Sequence, residues 1–276
     1  MIRESFETPG NVTLDLSIPE GRIEIETVDG TTTEVELDAR GNEDEVRQTL
    51  DDVRIEHRAT GKGHEVAVDL RDRRRFGFGR KVEVRLSIHA PHGAHVRTEC
   101  ASADIYGRGR YGSLDAKTAS GDVEFDDVEG DARLRGASGD IEVRSIGGDA
   151  SVNSASGDVE LDRVGGRADV KTASGDVVVG NAAGEVSVAT ASGDQRIESV
   201  RQGSVSLQSA SGDIEVGIRQ GSNVWVDARA MSGDTRSELE LGDAPPDDDD
   251  APLVELRAAS MSGDVTVRHA HASVES

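Results

Sequence analysis

Ser-Gly-Asp occurs eight times in this chain, beginning at Ser120, Ser138, Ser156, Ser174, Ser192, Ser211, Ser232 and Ser262, with a degraded Ser-Ala-Asp at Ser102. The successive intervals from Ser102 are 18, 18, 18, 18, 18, 19, 21 and 30 residues. An active site is built once, whereas a signature that returns at a near-fixed period marks a repeat architecture. The triplet is therefore first a corner that the chain turns again and again.

Each unit divides into two nine-residue halves. From Ala137 the chain reads ASGDIEVRS, IGGDASVNS, ASGDVELDR, VGGRADVKT, ASGDVVVGN, AAGEVSVAT. Glycine permits the tight corner, and the apolar–polar–apolar alternation after it is a short strand with one buried face. Two strands and two corners close one coil, and stacked coils pair like strands in parallel at about 4.8 Å. The inward residues then form columns. One holds Val123, Ile141, Val159, Val177, Ile214 and Val265; its neighbour holds Phe125, Val143, Leu161, Val179, Ile197, Val216 and Val267. The opposite wall carries Ala132, Ala150, Ala168 and Val186 beside Leu134, Val152, Val170, Val188 and Leu207. The alanines before each triplet (Ala119, Ala137, Ala155, Ala173, Ala191 and Ala210) are expected to fill a narrow corner, with Met231 and Met261 in their place where the units lengthen. This pattern predicts an all-β fold, a parallel β-solenoid of about nine 18-residue coils held by nearest-neighbour stacking, roughly 43 Å long at that strand spacing.

The rhythm changes at both ends. Residues 1–94 contain alternating strands and a helical stretch that starts at Asn42, with Val46, Leu50 and Val53 at helical spacing. They read as a β-rich cap with one short helix, and EGRIEIE within them resembles a worn corner plus strand. Residues 95–276 read as the solenoid. It is interrupted by an acidic insertion near 242–252, GDAPPDDDDAP, whose Pro and Asp content suits a solvated loop. The last strand, VTVRHA, has no helix or proline to cover it and is expected to leave an open edge, unless the PPDDDD insertion folds over it.

At LSIHAPHGAHVRTECASADIYG and the serial TASGDVEV-like units that follow, the chain resembles the putative-adhesin family of bacterial and archaeal β-solenoid domains of unknown function. The resemblance spans roughly residues 10 to 276 and implies a non-enzymatic solenoid with no catalytic residue to carry over. This chain departs from the pattern at Ala103, where the first corner lacks its glycine, and in the acidic insertion.

Charge narrows the partners. The chain has 54 acidic and 31 basic residues, a formal net charge of −23, and only four lysines. An acidic, lysine-poor surface is expected of a protein that works in molar salt, as in a halophilic archaeon, where screening removes its self-repulsion. An acidic mesophilic protein is the alternative. Either way the charge argues against nucleic acid as a partner. No apolar run has the length of a membrane span. With no signal-peptide pattern and Cys100 as the one cysteine, the expected location is the cytoplasm.

Four features are candidate sites. The corner carboxylates, Asp104 to Asp264, would stack into a ladder of like charges. A calcium ladder needs a longer Gly-rich turn than this, so turn hydrogen bonds and monovalent salt are the expected way of satisfying them. RDRRRFGFGRK, Arg71 to Lys81, joins arginines to two of the four phenylalanines. Arg73, Arg74, Arg75, Phe76, Phe78 and Arg80 are its candidate partner-binding residues; the plain alternative is a hairpin loop whose arginines pair with the chain's own acidic surface. His269 and His271 suit a frayed tail better than a metal site, and Trp225 is expected to pack near a wider end of the core. No catalytic residue, metal site or cofactor is expected. Three function classes follow: a non-enzymatic surface for protein or glycan contacts, a cytoplasmic scaffold that self-associates in high salt as bactofilins do, and a polysaccharide-active enzyme. The last requires a local break in the repeat where carboxylates and bases converge, and the central coils have none.

Overall fold

The computed structural model describes residues 1–70, 82–239 and 252–270. Its described residues form an all-β parallel solenoid with one helix, and they fall into two compact units, Met1–Ile141 and Glu142–Ser276.

The first unit contains β1 (Ile2–Glu7), β2 (Val12–Val28), β3 (Thr32–Arg40), α1 (Glu43–Asp52), β4 (Val53–Thr60), β5 (Gly63–Leu70), β6 (Glu83–Pro91), β7 (Ala94–Ser120), β8 (Val123–Val128) and β9 (Ala132–Ser138). The predicted helix starts where the sequence placed it. Asn42 caps it by accepting a 3.0 Å hydrogen bond from the Asp44 amide, and its first turn is acidic. Both features favour a helix N-terminus. EGRIEIE is indeed a coil corner: Gly21, at φ +124°, stacks on Ala103, and Ile23 and Ile25 stack on Ile105 and Gly107. β2 lies between two coils. On one side it pairs in parallel with β7, and on the other with β5 (Leu14 on Val66) and β6 (Ile25 on Ile88). Antiparallel strands continue beyond these: β4 on β5, β3 on β6, and β1 on β3.

Small aliphatics do not fill this unit alone. Tyr111 is fully buried, and its hydroxyl donates to the Ile25 carbonyl at 2.7 Å and the Arg108 carbonyl at 3.0 Å. Its ring meets Phe125 edge to face, 5.1 Å apart and at 74°, a favourable aromatic geometry. Gly107 makes room for Phe125, because a β-carbon there would fall 2.2 Å from the ring.

The second unit contains two walls. The first is made of β10 (Ile141–Ile146), β12 (Val159–Val164), β14 (Val177–Ala182), β16 (Gln195–Val200), β18 (Ile214–Ile218), β20 (Thr235–Ser237) and β22 (Val265–His269). The second is made of β11 (Ala150–Ser154), β13 (Ala168–Ser174), β15 (Val186–Ser192), β17 (Gly203–Ser211), β19 (Asn223–Ser232) and β21 (Leu253–Ser262). The columns run in register: Leu161, Val179, Ile197, Val216 and Val267 succeed one another on the first wall, and Val170, Val188, Leu207 and Ala258 on the second. All are buried. One residue breaks the apolar run. Gln195 stands between Val177 and Ile214, 1% exposed, and its amide donates to Thr190 Oγ1 and the Gln208 carbonyl while its own oxygen has no partner. An orphaned buried acceptor costs about 1–3 kcal/mol. Gln195→Val, which restores the column, is therefore expected to raise stability by roughly 1 kcal/mol in a denaturant titration; a loss of stability would mean that the side chain contributes more than it costs.

Stack order departs from chain order. β17 pairs with β21, and β21 with β19; β18 pairs with β22, and β22 with β20. The last coil of the chain is thus inserted between its two predecessors. Intervals of 21 and 30 residues mark the place: the chain skips one level, then returns to fill it. This corrects the expected open edge, since the VTVRH strand is paired on both sides and β19 and β20 take the edge position instead. The same inversion occurs in the first unit, where β2 sits between β5–β6 and β7. Cysteine pairs can check the order. Ser262 neighbours both Ser211 and Ser232 at the parallel spacing of about 4.8 Å, within disulfide range. Ser211→Cys with Ser262→Cys should oxidise to a crosslink and Ser211→Cys with Ser232→Cys should not; the reverse outcome would restore chain order.

Two further expectations are corrected. The alanines at 119, 137, 155, 173, 191 and 210 face solvent, as do Met231 (81% exposed) and Met261 (60%). Strands such as β13 and β15 run on through the serine of the triplet, so alternation turns the preceding Thr118, Thr172, Thr190 or Ser209 inward and the alanine outward. Trp225 is half exposed on β19, with the Arg257 guanidinium 5.4 Å from its ring.

Candidate functional site

The geometry of the corner follows from its three residues. Glycine takes positive φ, between +104° and +137° at Gly121, Gly139, Gly157, Gly175, Gly193 and Gly212, a region closed to most L-residues. Stacking also leaves no room for a side chain: a β-carbon on Gly193 would lie 2.1 Å from the Gly175 carbonyl oxygen. The aspartate then ties one coil to the next. The Asp122 amide donates to Asp104 Oδ1 at 3.2 Å, Asp140 to Asp122 at 3.0 Å, and Asp176 to Asp158 and Asp194 to Asp176 at 2.8 Å each. The series continues through Asp213, Asp264 and Asp234, following the inverted stack order. A charge-assisted bond to a backbone amide offsets part of the repulsion along the column. The corner carboxylate is thus already engaged by protein, through the amide of a neighbouring coil rather than by the hydrogen bonds within its own turn that the sequence suggested. Among the described residues no group of three or more His, Cys, Asp or Glu side chains is arranged to hold a metal ion.

The other corner of each coil in the second unit is different. There the floor is formed by Ile146, Gly147, Val164, Gly165, Ala182 and Ala183, and it underlies a groove of about 510 Å³. Arg163, Arg201 and Arg219 line it with Ser145, Asn181, Ser199 and Gln202, and no carboxylate is among the lining residues. A smaller hollow of about 210 Å³ shares Arg201 and Arg219 and adds Gln220, Ser222 and Pro252. Register fixes the spacing. Arg163 pairs with Asn181 and Asn181 with Ser199; the Arg219 amide donates to the Val200 carbonyl, which places Arg201 and Arg219 on successive coils. All three arginines are exposed.

Elsewhere the basic residues are mostly matched. Arg196 and Arg268 both reach Glu215. Partial burial pushes the Glu215 carboxyl up, but the two guanidiniums outweigh it and hold it below the usual carboxylate range. A second hollow, about 420 Å³ on β2, β4 and β5, mixes Arg54 and Arg58 with Asp15, Glu56, Glu65 and Asp69, so its charges compensate internally. Cys100 is buried, which pushes its thiol up to about 11; at neutral pH it is not a nucleophile.

The sequence candidates fare unevenly. Arg73, Arg74, Arg75, Phe76, Phe78 and Arg80 lie outside the described residues, as does His271. The strands flanking them, β5 and β6, pair with the two halves of β2 on either side of its Gly21 corner. His269 ends β22 opposite Ile218. The arginine groove was missed because its residues are scattered in sequence. Reading the eighteen-residue columns for charge within the second unit finds it: the positions that follow β10, β12, β14, β16 and β18 run Gly147, Gly165, Ala183, Arg201 and Arg219, while the acidic Glu129 of the same column lies in the first unit.

No helix among the described residues is long and apolar enough to cross a membrane. A comparison with curated proteins finds no match. Among solved structures, the chain is similar to a putative cell adhesion protein from Clostridium sporogenes (8% identity, 97% of this chain and 99% of that chain, TM-score 0.26). It is also similar to a putative adhesin from Bacteroides fragilis (10% identity, 97% and 96%, TM-score 0.35). A third is a putative lipid binding protein from Parabacteroides distasonis (12% identity, 96% of each chain, TM-score 0.37). The family model described as Toastrack DUF4097 matches residues 16–268, and with its serial glycine corners and stacked parallel coils this chain belongs to the Toastrack DUF4097 family.

Proposed function

We propose that the protein is a non-enzymatic repeat module that presents its solenoid surface for protein or glycan contacts, in a setting of molar salt. The observation that supports this most is the continuity of register in the second unit. From β11 to β18 the coils repeat with one shift, between Ile197 and Val200. Outward side chains therefore stand in columns at the coil spacing, which suits a partner that is itself extended. Incubation with a panel of polysaccharides in molar potassium chloride tests both halves of the reading. Retention of a glycan without new reducing ends is the expected result. Release of reducing ends would overturn the non-enzymatic part, and retention of none would leave protein partners only.

A second reading, end-to-end self-assembly, rests on β19. This edge strand carries half-exposed Trp225 and exposed Met231, and an exposed apolar edge strand is a template for pairing. Val226→Lys would then lower self-association in light scattering.

A further inference from the structure

We propose that the arginine groove of the second unit binds an acidic oligosaccharide, one that carries a carboxylate on successive sugars; this rests on the glycan half of the function proposed above and names its ligand class.

Three observations converge on that chemistry. First, in a chain of net charge −23, Arg163, Arg201 and Arg219 line one groove that no carboxylate enters. None of the three guanidiniums makes an ion pair or side-chain hydrogen bond with another described residue, although at least thirteen other described arginines do. A guanidinium fork matches a carboxylate bidentately. Second, Asn181 and the largely buried Ser199 stand between Arg163 and Arg201, and Ser145 stands on the coil before Arg163; amides and hydroxyls both donate and accept, as sugar hydroxyls do. The exposed floor beneath them is Gly147, Gly165 and Ala183, with Ile146, Val164 and Ala182 turned into the core; its lack of bulk lets a sugar ring approach the backbone. Third, the cationic positions recur along the stack, at intervals of one and about two coils, each coil rising about 4.8 Å. A linear ligand laid across the coils meets them in turn.

Other anions fit less well. The groove has no aromatic side chain on which a nucleic-acid base would stack. An acidic peptide gains affinity by adding to a free strand edge, but the backbones of β12, β14 and β16 are paired in the ladder. Contact-range bidentate bonds also persist in molar salt, where the Debye length of about 3 Å removes longer-range attraction.

Calorimetric titration of the full chain tests the assignment with three probes: an oligogalacturonate, its neutral methyl ester of equal length, and a poly-glutamate peptide. The oligogalacturonate is expected to bind, and the methyl ester to bind at least about tenfold more weakly, the loss of one charge-assisted contact. The triple variant Arg163→Gln, Arg201→Gln, Arg219→Gln should lose oligogalacturonate binding by at least about tenfold, while Arg133→Gln, which removes a cation from the first unit, should not. All four positions are exposed, so circular dichroism should show the same fold throughout. Equal binding of the methyl ester overturns the inference while leaving the broader glycan reading intact. Tighter binding of poly-glutamate overturns it in favour of an acidic protein partner. Binding of the oligogalacturonate by the triple variant as by the parent also overturns it.

Discussion

Val179→Asp is expected to remove several kcal/mol of folding stability. Val179 is fully buried, with Leu161 on the coil before it and Ile197 on the coil after it. A carboxylate there loses its water and gains no partner, so the effective penalty is of the order of several kcal/mol even after relaxation. In a stack stabilised by nearest neighbours, one such residue weakens two interfaces at once. Val178, the next residue along β14, points outward between Glu160 and Arg196. Val178→Asp should therefore cost within about 0.5 kcal/mol, the usual range for a surface change. Chemical denaturation of the two variants separates them; equal midpoints would refute the inward and outward assignment of β14.

Gly175→Ala should cost roughly 3 kcal/mol, from two additive causes. The position has φ +116°, where an L-residue carries about 1–2 kcal/mol of strain. The added β-carbon would also lie 2.1 Å from the Gly157 carbonyl oxygen and 2.7 Å from its carbonyl carbon. Neither is a side chain that can swing away, so the coils must part, at a typical overpacking cost of about 1–3 kcal/mol. By contrast Gly10, at φ +90° with open space around it, should pay only the strain. A thermal-melt difference between Gly175→Ala and Gly10→Ala measures the stacking contribution, and equal losses would mean that the corners are not in contact.

Most of the solenoid was legible because its signals are periodic. The eighteen-residue interval fixes which residue lies on which, and alternation fixes the buried face of β12 or β14. The stack order was not legible, since intervals of 21 and 30 residues say that the chain leaves the register but not where it returns. The alanine column was misassigned because alanine is neutral about burial; the inward threonines, Thr172 and Thr190, look polar and hide their position. Tyr111 gave no periodic signal, and its role as a core filler rests on long-range partners at Ile25 and Phe125. The candidate site divides the same way. The corner aspartates were found because they repeat, whereas Arg163, Arg201 and Arg219 become neighbours only after folding.

The central claim is that the Ser-Gly-Asp corner is structure, its carboxylate bound to the amide of the next coil and its charge screened by monovalent salt. Thermal melting from low to molar potassium chloride, with and without millimolar calcium, tests that claim most directly. The midpoint should climb with potassium chloride, as screening removes repulsion along the aspartate column and across a surface of net charge −23. In molar potassium chloride, calcium should then move it no further. A calcium-specific rise under those conditions would contradict the account, because the corner carboxylates would then be metal ligands first.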